Sequence, residues 1–245
     1  MGIVADLIAF EAERKFPFSP HLQGCRLDLT VRLSDLKHPR LLLRKIVARR
    51  EDRLFRERNK LPPFKLLNLG SGTVEKAGWV NADLFGTRTI IENKGRPIWH
   101  LDATQPWDCR DAYWEGIFTE HMLEHLTYTG AIAALKEAYR TLQPGAWLRI
   151  CTPDVRKYVQ FYLGNRELGG DFRNFPCGAV ALSDVSQNWG HASLWDAELL
   201  SAVLAEIGFV DMAEVKFREG RSAHIALDSN ANRSVSLYVE ARKPA

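Results

Sequence analysis

The chain has 245 residues, 46% hydrophobic and 26% charged, with a formal net charge of +3. That length suits one α/β domain with an extension, and that composition buries a core without metal or disulfide staples. No apolar run approaches the ~20 residues that cross a bilayer, and Asp6, Glu11 and Glu13 stand where a signal peptide would be basic and then apolar, so a cytoplasmic protein with no transmembrane segment is expected. Cys25, Cys109, Cys151 and Cys177 share no C-x-x-C or Cys/His spacing, which argues for reduced thiols.

Near the N-terminus, Leu27, Leu29, Val31 and Leu33 alternate at period two, as in a short strand or an extended arm. From about Pro39 to Asn59 the chain lacks internal Gly or Pro and is rich in Leu, Arg and Lys, predicting a basic helix. Between Lys37 and Lys60, ten basic residues face three acidic ones, a local charge of +7. Such a segment attracts a polyanion (an anionic membrane surface, RNA or an acidic polysaccharide), or it forms a solvated face or a homo-oligomer contact. Pro62-Pro63 breaks any helix arriving from upstream, so residues 1–62 are expected to be a basic, mainly helical extension and 63–245 the principal domain.

From Phe64 onward, strand-like runs alternate with helical patterns, the order of a parallel sheet with helices packed on its faces. Leu66–Leu69, Val80–Leu84 and Gly116–Thr119 are the first three predicted strands. A helix follows Thr129 with Ile132, Leu135, Ala138, Tyr139 and Leu142 on one face; it stops at Gln143-Pro144-Gly145, before a strand at Trp147–Cys151. Another helix is expected from Leu194 to Ile207, with Ser193 and Asp196 resembling a capping box and Gly208 beyond its end. Val215–Arg218 and Val235–Glu240 read as two closing strands.

Chemistry concentrates at the predicted strand tips. The first strand runs into Gly70-Ser71-Gly72, where glycines let a ligand approach the backbone and their amides can bind a carboxylate or phosphate. The second ends in Asp83, placed to accept both hydroxyls of a ribose. A nucleoside with an anionic tail suits this pair. Further along come Glu120-His121-Met122-Leu123-Glu124-His125 and Arg140-Thr141-Leu142-Gln143-Pro144-Gly145-Ala146.

Together with Asn68-Leu69-Gly70-Ser71-Gly72 and Gly78-Trp79-Val80-Asn81-Ala82-Asp83, these segments resemble class I S-adenosylmethionine (SAM)-dependent methyltransferases, in particular a small bacterial, methyltransferase type 11-like group. The resemblance spans roughly Leu66 to Pro244. It implies a Rossmann-like, seven-stranded, mostly parallel sheet with helices on both faces, and SAM as cofactor. It further implies that Gly70 and Gly72 line the methionine part of SAM, that Asp83 holds the ribose, that Asp102 lies near the adenine amino group, and that Glu120 and His121 sit beside the sulfonium. Asn68, Ser71, Leu84 and Ala103 belong to the same implied cofactor set. Two departures stand out: Gly70 and Asp83 are only 13 residues apart, which predicts a loop rather than a full helix between the first two strands, and Thr73 replaces a third glycine.

Asp102 read alone is a turn-capping residue, and Asp154 is expected to cap the next helix rather than to touch substrate. The i, i+4 spacing of His121 and His125 suggests a metal pair, but a zinc-protease helix needs H-E-x-x-H and here the acid adjoins the second histidine, so no metal is expected. If the acceptor is a hydroxyl, a histidine base suits it, and His191, His121 and His125 are the candidates. His191 follows Asn188-Trp189-Gly190 where relatives build their acceptor pocket; equally, it anchors that loop. The resemblance points to a small-molecule or glycan acceptor and to polysaccharide biosynthesis. An RNA methyltransferase using the basic arm and a non-catalytic SAM-fold scaffold are the alternatives. No interleaving of aromatic and basic residues supports the RNA reading.

Overall fold

The computed structural model describes residues 2–13, 64–72, 74–84, 98–229 and 233–245. The strand-like run at 27–33, the basic helix at 39–59, the boundary at 62–63, Cys25 and Thr73 lie outside the described residues. Cys109, Cys151 and Cys177 are free thiols.

In chain order the elements are α1 (Ile3–Glu13), β1 (Leu66–Leu69), β2 (Val80–Asp83), β3 (Trp99–His100), β4 (Trp114–Glu120), α2 (Tyr128–Thr141), β5 (Leu142–Pro153), α3 (Val155–Tyr162), α4 (Gly178–Gln187), α5 (Ala197–Ile207), β6 (Val210–Glu214) and β7 (Ser236–Arg242). The strands form one seven-stranded sheet in the order β3-β2-β1-β4-β5-β7-β6. Neighbours from β3 through β5 pair parallel, and β7 is antiparallel to both β5 and β6. The sheet therefore runs outward from β1 in both directions, and the reversal between β1 and β4 opens a crevice beyond their carboxyl ends.

Side chains alternate cleanly across the sheet, as the two-residue period of a strand requires. Leu67, Leu69, Ile117, Leu148, Ile150, Val239 and Ala241 all join one apolar cluster with Ile132, Leu135, Leu200, Val203, Leu204 and Val4. On this face α1, α2 and α5 pack against one another. On the opposite face, helices like these are not seen among the described residues. Among the described residues it is covered by loop 215–229, whose Ile225 packs with Phe118 and Trp79. Polar side chains explain the difference, because this face of β5 and β7 carries Arg149 and Glu240, which an apolar helix face could not satisfy. Arg149 is fully buried and pairs with both Asp228 and Glu240, its Nε donating to Asp228 Oδ1 at 2.7 Å and its Nη1 to Glu240 Oε1 at 2.7 Å. Its remaining N–H groups donate to the carbonyls of Lys216 and Glu219, fastening the loop to the sheet.

Local boundaries follow identifiable caps. Thr127 accepts the Gly130 amide to start α2, and β5 begins directly at Leu142 instead of at Trp147, because Leu142 pairs with Trp114 across a bulge. Asp196 alone caps α5, accepting the Leu199 amide at 2.8 Å. Ser193 is not part of a capping box there: it accepts from the Trp195 indole, and a bridge between Trp195 and Asp154 keeps Leu194–Asp196 extended. Gly208 closes α5 at φ +116°, so the chain turns straight into β6 at Val210–Glu214. Val215–Arg218 is consequently not a strand but the start of the loop over Arg149. Helix α1 was not foreseen; Val4 enters the core, and Glu11 accepts the Tyr128 and Thr129 amides at the N-terminus of α2.

Replacing Arg149 with Leu leaves Asp228 and Glu240 buried without their partner. Equilibrium urea denaturation should show a loss of about 3–5 kcal/mol; a loss below about 1 kcal/mol would mean that the loop and sheet do not depend on this cluster.

Candidate functional site

The crevice at the β1/β4 reversal is lined by the tips of β1, β2, β3 and β4. After β1 the chain turns back on β2: the Gly70 and Ser71 amides both donate to the Ala82 carbonyl, at 2.8 and 2.9 Å. The Gly72 amide donates to Asp83 Oδ2 at 2.6 Å. All three amides of the glycine turn are thus engaged within the protein, which corrects the expectation that they would serve as free anion donors. What the turn offers instead is space. Gly70 sits at φ +70°, with its α-carbon so close to Met122 that a β-carbon would lie 2.3 Å from Met122 Cγ. Gly72 is at φ +52° and a β-carbon there would meet nothing within 4 Å. Beside it, Ser71 Oγ is buried with no hydrogen-bond partner among the described residues. A buried hydroxyl left unsatisfied at the edge of open space is what a polar ligand would complete.

Asp83 lies at the end of β2. Burial pushes its carboxyl above the usual aspartate range, against the opposing pull of the Gly72 and Leu84 amides. Asn68 behaves differently: it is buried, donating to Asn81 Oδ1 at 2.8 Å and to the Val74 carbonyl at 3.0 Å. Its observed contacts hold Val74 and Asn81 rather than face the crevice. Asp102 caps its own turn through one oxygen, Oδ1 accepting from the Thr104 amide at 3.0 Å and hydroxyl at 2.6 Å. Ala103 packs against the core, and its carbonyl accepts the Trp107 indole N–H. Glu120 Oε1 accepts from the Ser229 amide and hydroxyl at 2.9 and 3.0 Å, so the end of loop 215–229 is tied to the tip of β4. Asp154 caps α3, accepting the Arg156 amide at 3.0 Å.

The three candidate histidines divide into two kinds. His121 has a left-handed backbone, φ +51°, and both ring nitrogens are engaged: Nδ1 with Glu124 Oε1 at 2.9 Å and Nε2 with Ser236 Oγ at 2.8 Å. It joins β4 to β7. His125 and His191 instead face each other, with ring centroids 5.0 Å apart in an edge-on arrangement. His191 Nδ1 bonds the Val185 carbonyl at 2.7 Å, which makes Nδ1 the protonated nitrogen and leaves the Nε2 lone pair. Burial pulls the His125 pKa below its ordinary value despite the raising influence of Glu124, so its imidazole is neutral at physiological pH.

Glu124 stands between them. It is buried, with Oε2 accepting from Thr152 Oγ1 at 3.1 Å, while its backbone carbonyl accepts the amides of Ala192 and Ser193 at 2.8 and 3.1 Å. Burial alone would raise its pKa, but opposing influences, the largest of them the hydrogen bond from His121, hold it below the usual glutamate range. Nothing local in the sequence marks Glu124 as a site residue, because Thr152 and Ala192, which it contacts, lie far along the chain.

No family model matches the chain, and no curated protein matches it. Among solved structures, a SAM-dependent methyltransferase from Archaeoglobus fulgidus is 18% identical, with 80% of this chain and 94% of that one covered at a TM-score of 0.49. A SAM-dependent methyltransferase from Thermotoga maritima is 16% identical over 85% and 95% of the two chains, at 0.47. The [4+2]-cyclase SpnF is 18% identical over 81% of each chain, at 0.44. Likenesses this distant carry no function across.

Two opposite pH effects follow. Glu124 has a folded pKa below its unfolded one, so it contributes stability above about pH 4.3 that is lost as pH falls through the folded value. Glu124→Gln should therefore flatten the decline in melting temperature between about pH 5 and 3; an unchanged slope would remove Glu124 from the acid response. Asp83 has a raised folded pKa, so its charge opposes folding at neutral pH. Asp83→Asn should melt at pH 7 no lower than the parent protein, and a clear drop in melting temperature would contradict the burial argument.

Proposed function

We propose that this chain is a class I SAM-dependent methyltransferase that binds its cofactor in the β1/β4 crevice and methylates a hydroxyl of a small-molecule or glycan acceptor. The observation that carries the reading is the joined Gly72–Asp83 pair at a sheet reversal. One acid at the tip of β2, still holding free lone pairs after accepting the Gly72 amide, suits vicinal ribose hydroxyls. The open space at Gly72 and the unsatisfied Ser71 hydroxyl suit the methionine end, and Gly70 lets the turn pack against Met122 without obstructing it. Asp102 keeps one carboxylate oxygen outside its turn for the adenine amino group. Leu84 and Ala103 flank these two acids. Asn68 supports the set from behind through Asn81, and Glu120 closes the far side of the crevice.

The cofactor supplies a methyl group already activated on a sulfonium. The protein's own share is to align, exclude water and receive a proton. His191, held by the Val185 carbonyl, presents its Nε2 lone pair, and His125 beside it is kept neutral by burial, so either imidazole can take the proton of an acceptor hydroxyl. His121 acts through others: its two hydrogen bonds orient Glu124 and fix the tip of β4 to β7. A glycan acceptor in polysaccharide biosynthesis is supported by the resemblance of the four motifs alone.

Calorimetric titration with S-adenosylhomocysteine should show one site per chain. Asp83→Ala should weaken it at least about fivefold, the loss of two hydrogen bonds of about 0.5–1.5 kcal/mol each, while His191→Ala leaves cofactor affinity unchanged and lowers turnover. Equal affinity in Asp83→Ala would place the cofactor elsewhere, and equal turnover in His191→Ala would remove His191 from proton transfer.

A further inference from the structure

The cluster of Glu124, His125 and His191 has a property that methyl transfer does not require. One ligand atom from each residue lies within 4.8 Å of the others. Ligands on a single zinc-like ion lie about 3.4 Å apart, given bonds of about 2.0–2.1 Å in a tetrahedral arrangement, so a contraction of a little over 1 Å would gather all three. We propose that Glu124, His125 and His191 bind one divalent transition-metal ion of zinc-like preference, leaving at least one coordination position open on the acceptor side.

Two observations support a built site rather than a chance meeting of polar groups. Two of the three ligands are held from behind: Glu124 by His121 and Thr152, and His191 through Nδ1 by the Val185 carbonyl, the pattern that fixes a ligating imidazole and its tautomer. The loop that carries His191 is fastened to the same glutamate, because the Ala192 and Ser193 amides both donate to the Glu124 carbonyl. His191 thus reaches His125 through a connection unrelated to the i, i+4 spacing in the sequence, which is why His121, engaged by Glu124 and Ser236, is not the second imidazole.

Two imidazoles and one carboxylate suit zinc, cobalt or nickel, whereas magnesium prefers oxygen ligands. Three protein ligands with an open position are the arrangement of a reactive rather than a purely structural site, and the open position would hold an oxygen of the acceptor. The inference rests on the same acceptor side as the proposed function: with the ion bound, His125 and His191 would serve as its ligands and the ion, rather than either imidazole, would acidify the acceptor hydroxyl; it stands without the cofactor, because metal binding is measured with no SAM present.

The test is a titration of the full chain, first stripped with a chelator, with Co²⁺ followed by its visible absorption and then by displacement with Zn²⁺. One ion per chain is expected, displaced by Zn²⁺ and not by millimolar Mg²⁺. His191→Ala should weaken Co²⁺ binding at least about tenfold, the lower range for disturbing a metal's supporting residues, with the melting temperature preserved and His224→Ala unaffected. Glu124→Gln tests the carboxylate with its size retained. No stoichiometric Co²⁺ or Zn²⁺ binding, or equal affinity in His191→Ala, would overturn the proposal. Failure of S-adenosylhomocysteine to bind would leave it untouched while overturning the methyltransferase reading.

Discussion

The region around the crevice depends on one buried carboxylate. Glu124 sits just past the tip of β4, and its side chain reaches His121 on one side and Thr152 of β5 on the other, while its carbonyl holds the loop leading to α5. A buried carboxylate without such partners would be costly, so the strand tips, the 3₁₀ turn at Leu123–His125 and the 188–196 loop are committed to one arrangement together. The left-handed backbone at His121 belongs to the same arrangement. A histidine tolerates that conformation better than a branched residue, and here the Cys151 carbonyl and two side-chain contacts hold it there.

The sheet supports this from two faces with different physics. On one, apolar side chains of β1, β4, β5 and β7 meet α1, α2 and α5, and burial of that cluster supplies the bulk of the driving force. On the other, Arg149 holds loop 215–229 through Asp228, Glu240 and two carbonyls, and the same loop reaches Glu120 through Ser229 and Lys76 through the Leu227 carbonyl. The loop on this face brings chain from near the C-terminus to the edge of the crevice. The glycine turn uses its own amides to bind β2, so in the proposed cofactor site recognition there would fall to Asp83, Ser71 and open space.

Residues whose role is set by near neighbours were legible in the sequence. β1, β2 and β4 could be read because short apolar runs end in glycine or acid at their tips, and Asp154 and Asp102 could be read as caps because Asp bonds amides within two residues. The α5 stop was legible in Gly208 for the same reason. Arrangements built from distant segments were not. His191 meets His125 only because the backbone amides after it find Glu124, and Ser229 meets Glu120 across 109 residues. Nothing local marks either contact. Val215–Arg218 alternates like a strand, yet Gly208 ends α5 so early that the paired segment falls at Val210–Glu214, and the alternating residues pass into the loop over Arg149. Helix α1 was missed because the value of Ile3–Glu13 lies in partners such as Glu206 and Tyr128 rather than in its own pattern.

Everything proposed for the crevice requires that a nucleoside cofactor occupy the tips of β1, β2 and β3. Hydrogen exchange of the full chain with and without S-adenosylmethionine measures this directly. Slowed exchange in peptides spanning Leu66–Leu84 and Ile98–Gln105, with little change over α3 and α4, is the predicted result. Unchanged exchange throughout, or protection confined to Val155–Gln187, would contradict the account.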